Sequence, residues 1–508
     1  MKPTISKTPN PKPKKTISLN VARKHYLETK YQVVRFVGKK LLNWQLTKNE
    51  KAWEVMWVDS TVPPELLASM KPYQRINHFP GMYAIARKSN LCMNLNKLRN
   101  RFPEDFNFYP KTWFLPAEHS EFHKNFKVHS TYIVKPEASS QGKGIYLIRD
   151  INEIEPGEHC IVQEYLSRPF LIEGLKFDLR IYVLVTGCNP LRLFIHEEGL
   201  TRFATEKYKK PSSANIEQMR MHLTNYAVNR KSKKFVANKN ADEDSVGHKR
   251  SLSSTFIWLE ENGYDVDTLW DDICDIIIKT ICAIQPSLAH TYHSCQPDDV
   301  TNAMCFEILG FDIILDDRLR PWLLEVNHSP AFSTGSPLDK KVKRQVIKEA
   351  LEMLNLSPSD KKKYELQRRK EITLRTIQKT SFQERAMQKE HKRKEFQHTR
   401  DEYESENSGG YIKIFPGKND NYYLEFMEAA KEIWSNFTGS RNRSRRVSQK
   451  EEKKKSESRD NFEKKQKELY DFYKMKYTEK KDELSKAYES KLKAIQKNTK
   501  PPLKFATK

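Results

Sequence analysis

Residues 305–327 constrain this chain more than any other stretch. They read as two apolar strands, Cys305-Phe-Glu-Ile-Leu-Gly-Phe-Asp312-Ile-Ile-Leu315 and Pro321-Trp-Leu-Leu-Glu325-Val-Asn327, joined by the polar turn Asp316-Asp-Arg-Leu-Arg320. Such a pair is a hairpin. Pairing residue 315 with 322 sets Asp312 opposite Glu325, Cβ atoms about 5 Å apart, with Asn327 on the same face. Ile313, Leu315, Leu324 and Val326 are expected on the other face. Two carboxylates converging between apolar strands repel unless a cation lies between them or one is protonated. A small all-oxygen donor set suits Mg²⁺ completed by phosphates and water, so Asp312, Glu325 and Asn327 are candidate metal ligands.

Two further constellations precede it. Lys135-Pro-Glu-Ala-Ser-Ser-Gln141-Gly142-Lys143-Gly144-Ile145 joins two strands through a small-residue loop. Its backbone N–H groups can form an anion nest, with Lys135 and Lys143 supplying countercharge. It lacks the GxxxxGK[ST] of a P-loop, and a strand follows where a Rossmann turn needs a helix. A plain hairpin with a glycine turn is the other reading. In Lys176-Phe-Asp178-Leu-Arg180, a strand period of two puts three charges on one face. The apolar run Ile181-Tyr-Val-Leu-Val185 that follows marks a central strand, where such charges are costly unless neutralised.

Charge is unevenly spread. Lys and Arg total 90 against 66 acids, yet residues 25–360 hold 43 against 42. Residues 1–24 hold seven Lys/Arg and no acid, and residues 361–508 hold 40 against 24. A basic balance of this kind points to a polyanionic partner. No run approaches a membrane span, the start lacks a signal-peptide core, and seven scattered cysteines without CxxC argue for reduced thiols in a cytosolic protein. Nucleic acid is disfavoured, because neither stacking aromatics on strands nor a known binding motif is present.

The expected organisation is a disordered basic arm over 1–24, an N-terminal α/β domain over 25–130, a strand-rich central domain over 131–206, and a C-terminal domain over 207–357. A basic helical, partly disordered tail follows over 358–508. Strands are expected at Tyr132–Lys135, Ile145–Ile148, Ile161–Glu164 and Phe177–Val185, and helices near 267–284 and 339–354. In the tail, helices are expected over about 361–403 and 450–497. A turn-rich segment at Ser408–Ile412 and an apolar patch at Tyr422–Trp434 separate them.

A glycine loop with lysines, a charged strand face and a paired-carboxylate hairpin, in that order, make an ATP-grasp arrangement. The fold class is therefore α/β (α+β): an ATP-grasp-like ligase core with a small N-terminal domain and a basic helical C-terminal extension. From Tyr31 to Asn355 the sequence resembles the tubulin tyrosine ligase-like enzymes, within them the polyglutamylases. The motifs that carry the resemblance are Asn77-His-Phe-Pro-Gly81-Met, Lys135-Pro, Gln141-Gly-Lys-Gly144, Lys176-Phe-Asp178, Glu198-Gly-Leu-Thr-Arg202-Phe-Ala-Thr, His222-Leu-Thr224-Asn225-Tyr and Leu324-Glu-Val-Asn-His328-Ser-Pro.

The resemblance implies ATP contacts at Lys135, Gln141, Gly142, the hinge Gln163, Glu164, Tyr165 and Leu166, and at Lys176, Asp178, Thr224 and Asn225. It implies Mg²⁺, expected as two ions, at Asp312, Glu325 and Asn327. Arg202 would hold an acceptor glutamate and Lys343 the incoming one, with Gln141, Lys249 and His328 as further substrate contacts. Arg202, Lys176 and Glu325 would take the catalytic roles. Glu164, Leu166 and Ala331 stand where Gln, Ile and Ser are usual. The implied activity is ATP-dependent polyglutamylation of tubulin tails by a monomer, with free glutamate as donor, in the cytoplasm and cytoskeleton, including cilium and basal body. The alternatives are an inactive or weakly active microtubule-binding protein and a glycine- or tyrosine-adding ligase.

Overall fold

The computed structural model describes residues 18–21, 29–47, 53–137, 142–155, 157–377, 381–417 and 419–438. Up to Phe415, and again from Asn421 to Gly439, the chain forms one compact unit built on three sheets. The first is parallel and small: β1 (Ser18–Val21), β2 (Gln45–Thr47), β3 (Val55–Trp57) and β4 (Arg75–Ile76). The second is antiparallel: β5 (Thr112–Leu115), β6 (Tyr132–Pro136), β7 (Tyr146–Ile148) and β8 (Cys160–Glu164), in the order β5-β8-β6-β7.

The third sheet holds eight strands: β9 (Leu171–Ile172), β10 (Leu175–Cys188), β11 (Leu191–His196), β12 (Leu200–Lys207), β13 (Lys249–Ser251), β14 (Glu307–Leu315), β15 (Pro321–Asn327) and β16 (Tyr411–Phe415). Its centre is β10, paired with β11, β12 and β14. Alternation sends Phe177, Leu179 and Ile181 into the main core, each at most 1% exposed. The helix Val266–Cys282 covers that core with Leu269, Ile273, Ile276 and Ile277, and Asp265 caps its N-terminus by accepting from the Thr268 amide at 3.0 Å. On the opposite face Tyr182, Leu184 and Ile308 pack with Val342 and Val346 of the helix Pro337–Glu352, which starts on a Ser336 cap. Sheet two keeps a separate small core around Trp113, Phe122, Tyr132 and Val162.

Several expected boundaries move. Ser18–Val21 is a strand of the parallel sheet, so the arm is not free of structure through residue 24: Leu19 pairs with both Leu46 and Val55. Thr112–Leu115 belongs to the central sheet rather than the N-terminal domain, and β10 and β12 belong with the carboxylate hairpin rather than with residues 131–174. Residues 358–415 and 421–438 of the expected tail are not separable either. The turn-rich segment contains β16, which extends the large sheet beside β11, and the helix Asp420–Phe437 buries Phe426, Met427, Ala429 and Ala430 in the main core. The expected helix over 361–403 is two helices, Asp360–Ile377 and Phe382–Glu406. The helix expected over 450–497 lies outside the described residues.

Candidate functional site

The carboxylate hairpin places Asp312 opposite Glu325, but residue 315 pairs with Pro321 rather than Trp322. A bulge between Asp312 and Ile313 absorbs the difference, so Ile313 pairs with Leu323. Leu323, fully buried, therefore takes the core position expected of Leu324.

Strand register then lays two rows of charge across the large sheet. Asp312 pairs with Arg180 of β10 as well as with Glu325, which gives the row Glu325–Asp312–Arg180 over three strands. Asp178 pairs with Arg202 of β12, and Arg202 with Lys249 of β13, which gives the row Asp178–Arg202–Lys249. Directly opposed side chains on one face stand close enough to interact, and these do. Arg180 donates to Asp312 Oδ1 from Nε at 2.5 Å and to Oδ2 from Nη2 at 3.0 Å. Arg202 grips Asp178 through Nε and Nη2 and reaches Asp312 Oδ2 at 2.8 Å. Gly310 makes this possible, because a Cβ there would stand 3.2 Å from Arg180 Cδ and Nε.

Two guanidinium groups on one carboxylate decide its charge. Burial alone would raise Asp312, but Arg180 and Arg202 outweigh it and hold the carboxyl far below the usual range. Glu325 moves the opposite way, raised first by burial and then by the charge of Asp312. Asn327 Nδ2 stands 3.2 Å from Glu325 Oε1 and 3.5 Å from Asp312 Oδ2. Turning that amide over presents Oδ1 to the same space. The three side chains thus converge as an oxygen donor set with one carboxylate poorly compensated, which fits a hard divalent cation.

The lysines flank this cluster. Lys135 on β6 donates to Gln163 Oε1 at 2.7 Å, and Gln163 donates on to Thr112 at 2.8 Å. Lys176 donates to the Tyr165 hydroxyl at 2.8 Å and the His222 carbonyl at 2.9 Å. Burial pushes Lys135 down to about 8 and Lys176 to about 7, against the pull of nearby carboxylates. Gly142 has φ +79°, and a Cβ there would meet Asn225 at 3.2 Å and Val228 at 3.0 Å. The glycine loop therefore packs on the segment that carries Thr224, itself buried, and Asn225. Glu164 and Tyr165 engage the neighbouring backbone through their own N–H groups, at Lys111 and Thr131, and Leu166 is half-buried. Gln141 lies outside the described residues.

Lys249 and Lys343 are brought together by a residue that sequence reasoning missed. Asp339 accepts from Lys249 at 2.9 Å and forms an ion pair with Lys343 at 2.8 Å. Lys343 also donates to the Ser333 carbonyl at 2.6 Å, and burial pushes it down to about 8. His328 does not join them. It lies by His78, ring centroids 5.8 Å apart, and burial together with His78 and Arg87 pushes it down to about 4, so it is a neutral imidazole. His78 in turn contacts the buried Glu307 at 2.8 Å. Arg180 was visible in the strand pattern as a charge on the same face as Lys176 and Asp178. Only its spacing of four from Lys343 marked Asp339 locally; its other contact, with Lys249, lies 90 residues away in sequence.

The sequence pattern of the tubulin-tyrosine ligase family matches residues 66–365. A probable beta-tubulin polyglutamylase of Tetrahymena thermophila is 47% identical over 434 residues, covering 84% of this chain and 36% of that protein. Tubulin polyglutamylase TTLL6 of Mus musculus is 43% identical over 422 residues, 79% of this chain and 49% of that protein. Tubulin polyglutamylase TTLL7 of Xenopus tropicalis is 39% identical over 427 residues, 79% of this chain and 46% of that protein. The chain thus spans half or less of the length of these three relatives. On the strength of the matched pattern, the chain belongs to the tubulin-tyrosine ligase family.

Proposed function

We propose that the chain is an ATP-dependent ligase that joins glutamate to glutamate side chains of tubulin C-terminal tails. The observation that carries this reading is the pair of charged rows, Glu325–Asp312–Arg180 and Asp178–Arg202–Lys249, set across five strands with Lys135 and Lys176 beside them. The relatives are named tubulin polyglutamylases, which supports tubulin as the protein substrate and glutamate as the added residue. ATP with Mg²⁺, two ions in this reading, supplies the phosphoryl group that turns a side-chain carboxylate into an acyl phosphate open to an amine. Asp312, Glu325 and Asn327 would hold the metal. Lys135 and Lys176 would neutralise phosphate oxygens, with Gln141, Gly142, Gln163 to Leu166, Asp178, Thr224 and Asn225 around the nucleotide.

Arg202 would hold the acceptor carboxylate and stabilise the oxyanion formed on amine attack. Asp178 and Asp312 already engage it, so a substrate carboxylate must share or displace them. Lys343 would meet the incoming glutamate, with Lys249 and His328 as further substrate contacts. The enzyme is taken as a monomer acting on the cytoskeleton, including cilium and basal body. Incubation with microtubules, Mg-ATP and labelled glutamate, glycine or tyrosine in turn is the test. Incorporation of glutamate is expected. Glycine or tyrosine alone would reassign the amino acid, and no incorporation would favour a binding protein.

Nucleotide affinity should depend on pH. Both buried lysines must be protonated to pair with phosphates, so binding is fully supported below about 7 and weakens as pH climbs through 7 to 8, where the free site loses its protons. The Kd of a nonhydrolysable ATP analogue should rise by up to about tenfold per pH unit between 7 and 8, where one lysine must regain its proton, and by up to about a hundredfold per unit above 8, where both must. A flat profile between about pH 6 and 9 would contradict the lysine roles.

Gly142→Ala forces a side chain into a left-handed backbone conformation against Asn225 and Val228. The free loop relaxes away from that strain, and restoring its conformation on ATP binding costs about 1–3 kcal/mol, roughly 5- to 150-fold in affinity. Isothermal titration of the same analogue measures it, and unchanged affinity would remove the loop from the nucleotide site.

A further inference from the structure

Away from the charged rows, a cavity of about 60 Å³ lies where β4, the helix Phe382–Glu406 and the turn after Glu352 meet. Its polar lining is Arg75, Arg400, Thr186, Thr399 and Asn355. One ordered water needs roughly 10–15 Å³, so the space takes several waters or one compact polyatomic ion. Arg75 is only 8% exposed. Among the described residues it donates from Nη1 alone, to the Pro72 carbonyl at 2.8 Å and the Gln74 carbonyl at 3.0 Å. Its Nε–H and Nη2–H, the fork that binds oxyanions two-pronged, are left without a protein acceptor.

The neighbouring carboxylates are already committed. Asp299 and Asp360 are the acids whose charge Arg75 feels; Asp299 accepts from the Tyr292 hydroxyl at 2.6 Å, from Thr301 and from the Asn302 amide, and Asp360 accepts from the Ser357 amide at 2.7 Å and stands 3.5 Å from Lys363. Glu404 is shared by Arg192 and Arg400. Arg400 spends three further donors on the Thr186, Thr301 and Asn302 carbonyls. A buried guanidinium with a free fork therefore lines the same cavity as a second guanidinium. Desolvating such charges is costly unless an anion compensates them.

We propose that this cavity is a binding site for a compact tetrahedral oxyanion of the phosphate class, held by the Arg75 fork with Arg400 adding charge. The anion ties the N-terminal sheet, through Arg75, to the helix that carries Arg400. This site is independent of the ligase reading. Burial and the charge of Arg400 both act against the Arg75 cation, in the direction an anion would reverse.

The test is equilibrium dialysis of inorganic phosphate against the full chain, with Mg²⁺ and a saturating nonhydrolysable ATP analogue filling the nucleotide site. One phosphate per chain is expected, displaced by sulfate but not by acetate. Affinity should fall at least tenfold in Arg75→Gln, which removes the charged fork, and in Ala303→Met, which fills the cavity and keeps both arginines. The second variant decides the matter should the first not fold. Absence of phosphate binding, equal displacement by acetate, or full affinity in either folded variant would overturn the proposal and leave a water-filled cavity.

Discussion

Glu325→Gln should abolish ligation and yield a protein at least as stable as its parent. The substitution keeps shape and removes a charge that the proposed metal needs, so kcat should fall by about 10³-fold or more, roughly 4 kcal/mol. Stability should move the other way. Burial and Asp312 raise the Glu325 carboxyl above its usual value. A raised folded-state value means that this group's stability contribution is complete below the unfolded-state pKa and is lost as pH rises through the folded one. As pH rises through that raised value the parent loses it, whereas glutamine does not titrate and has nothing to lose. Without Mg²⁺ the variant should therefore melt at the parental temperature or above, while Mg-ATP should raise the melting temperature of the parent only. Near-parental turnover would remove Glu325 from the metal site.

Glu404→Ala should destabilise the whole core. Glu404 is 1% exposed, accepts from Arg192 Nε at 3.0 Å and from Arg400 Nε at 2.8 Å, and belongs to a segment that composition alone reads as tail. Removing it leaves two buried guanidinium groups short of a partner, at a cost of about 3–5 kcal/mol, measurable by denaturant titration. Deleting residues 361–508 should do more, since it also removes β16 and the helix that buries Phe426. That deletion is therefore a poor test of microtubule binding. Deleting 440–508 is a clean one. This segment holds 23 Lys/Arg against 11 Asp/Glu, most of the excess beyond residue 360. Its loss should weaken co-sedimentation with microtubules, most visibly at low salt, because at 0.15 M screening acts over about 8 Å. A stable 1–360 fragment would contradict the packing described here. Equal binding by full-length and 440–508-deleted protein at every salt concentration would leave that segment without the role.

What was legible in the sequence was mostly local. The hairpin turn and strand alternation were enough to bring Asp312 opposite Glu325 and to put Lys176, Asp178 and Arg180 on one face. The bulge beside Asp312 was not legible, since Leu323 and Leu324 are equally apolar and only packing decides which one is buried. Tyr411-Ile-Lys-Ile-Phe415 has a strand's composition, yet Gly409-Gly410 before it reads as a turn. Ser18-Leu-Asn-Val21 is short and sits among prolines and lysines. Its pairing comes from residues 45–57 rather than from its own composition. Asp339 and Glu404 were hidden for one reason. Each is a helical acid with a base four residues away, Lys343 or Arg400, and its bridging role comes from a second base far away in sequence, Lys249 or Arg192, so composition treats it as solvated charge.

The most direct measurement is mass spectrometry of tubulin tails after incubation with the full chain, Mg-ATP and isotope-labelled glutamate, alongside Glu325→Gln. A polyglutamylase built on Glu325 leaves ladders of added glutamate residues on glutamate side chains with the parent and none with the variant. Unmodified tails with the parent, additions of another amino acid, or equal ladders from both proteins would contradict it.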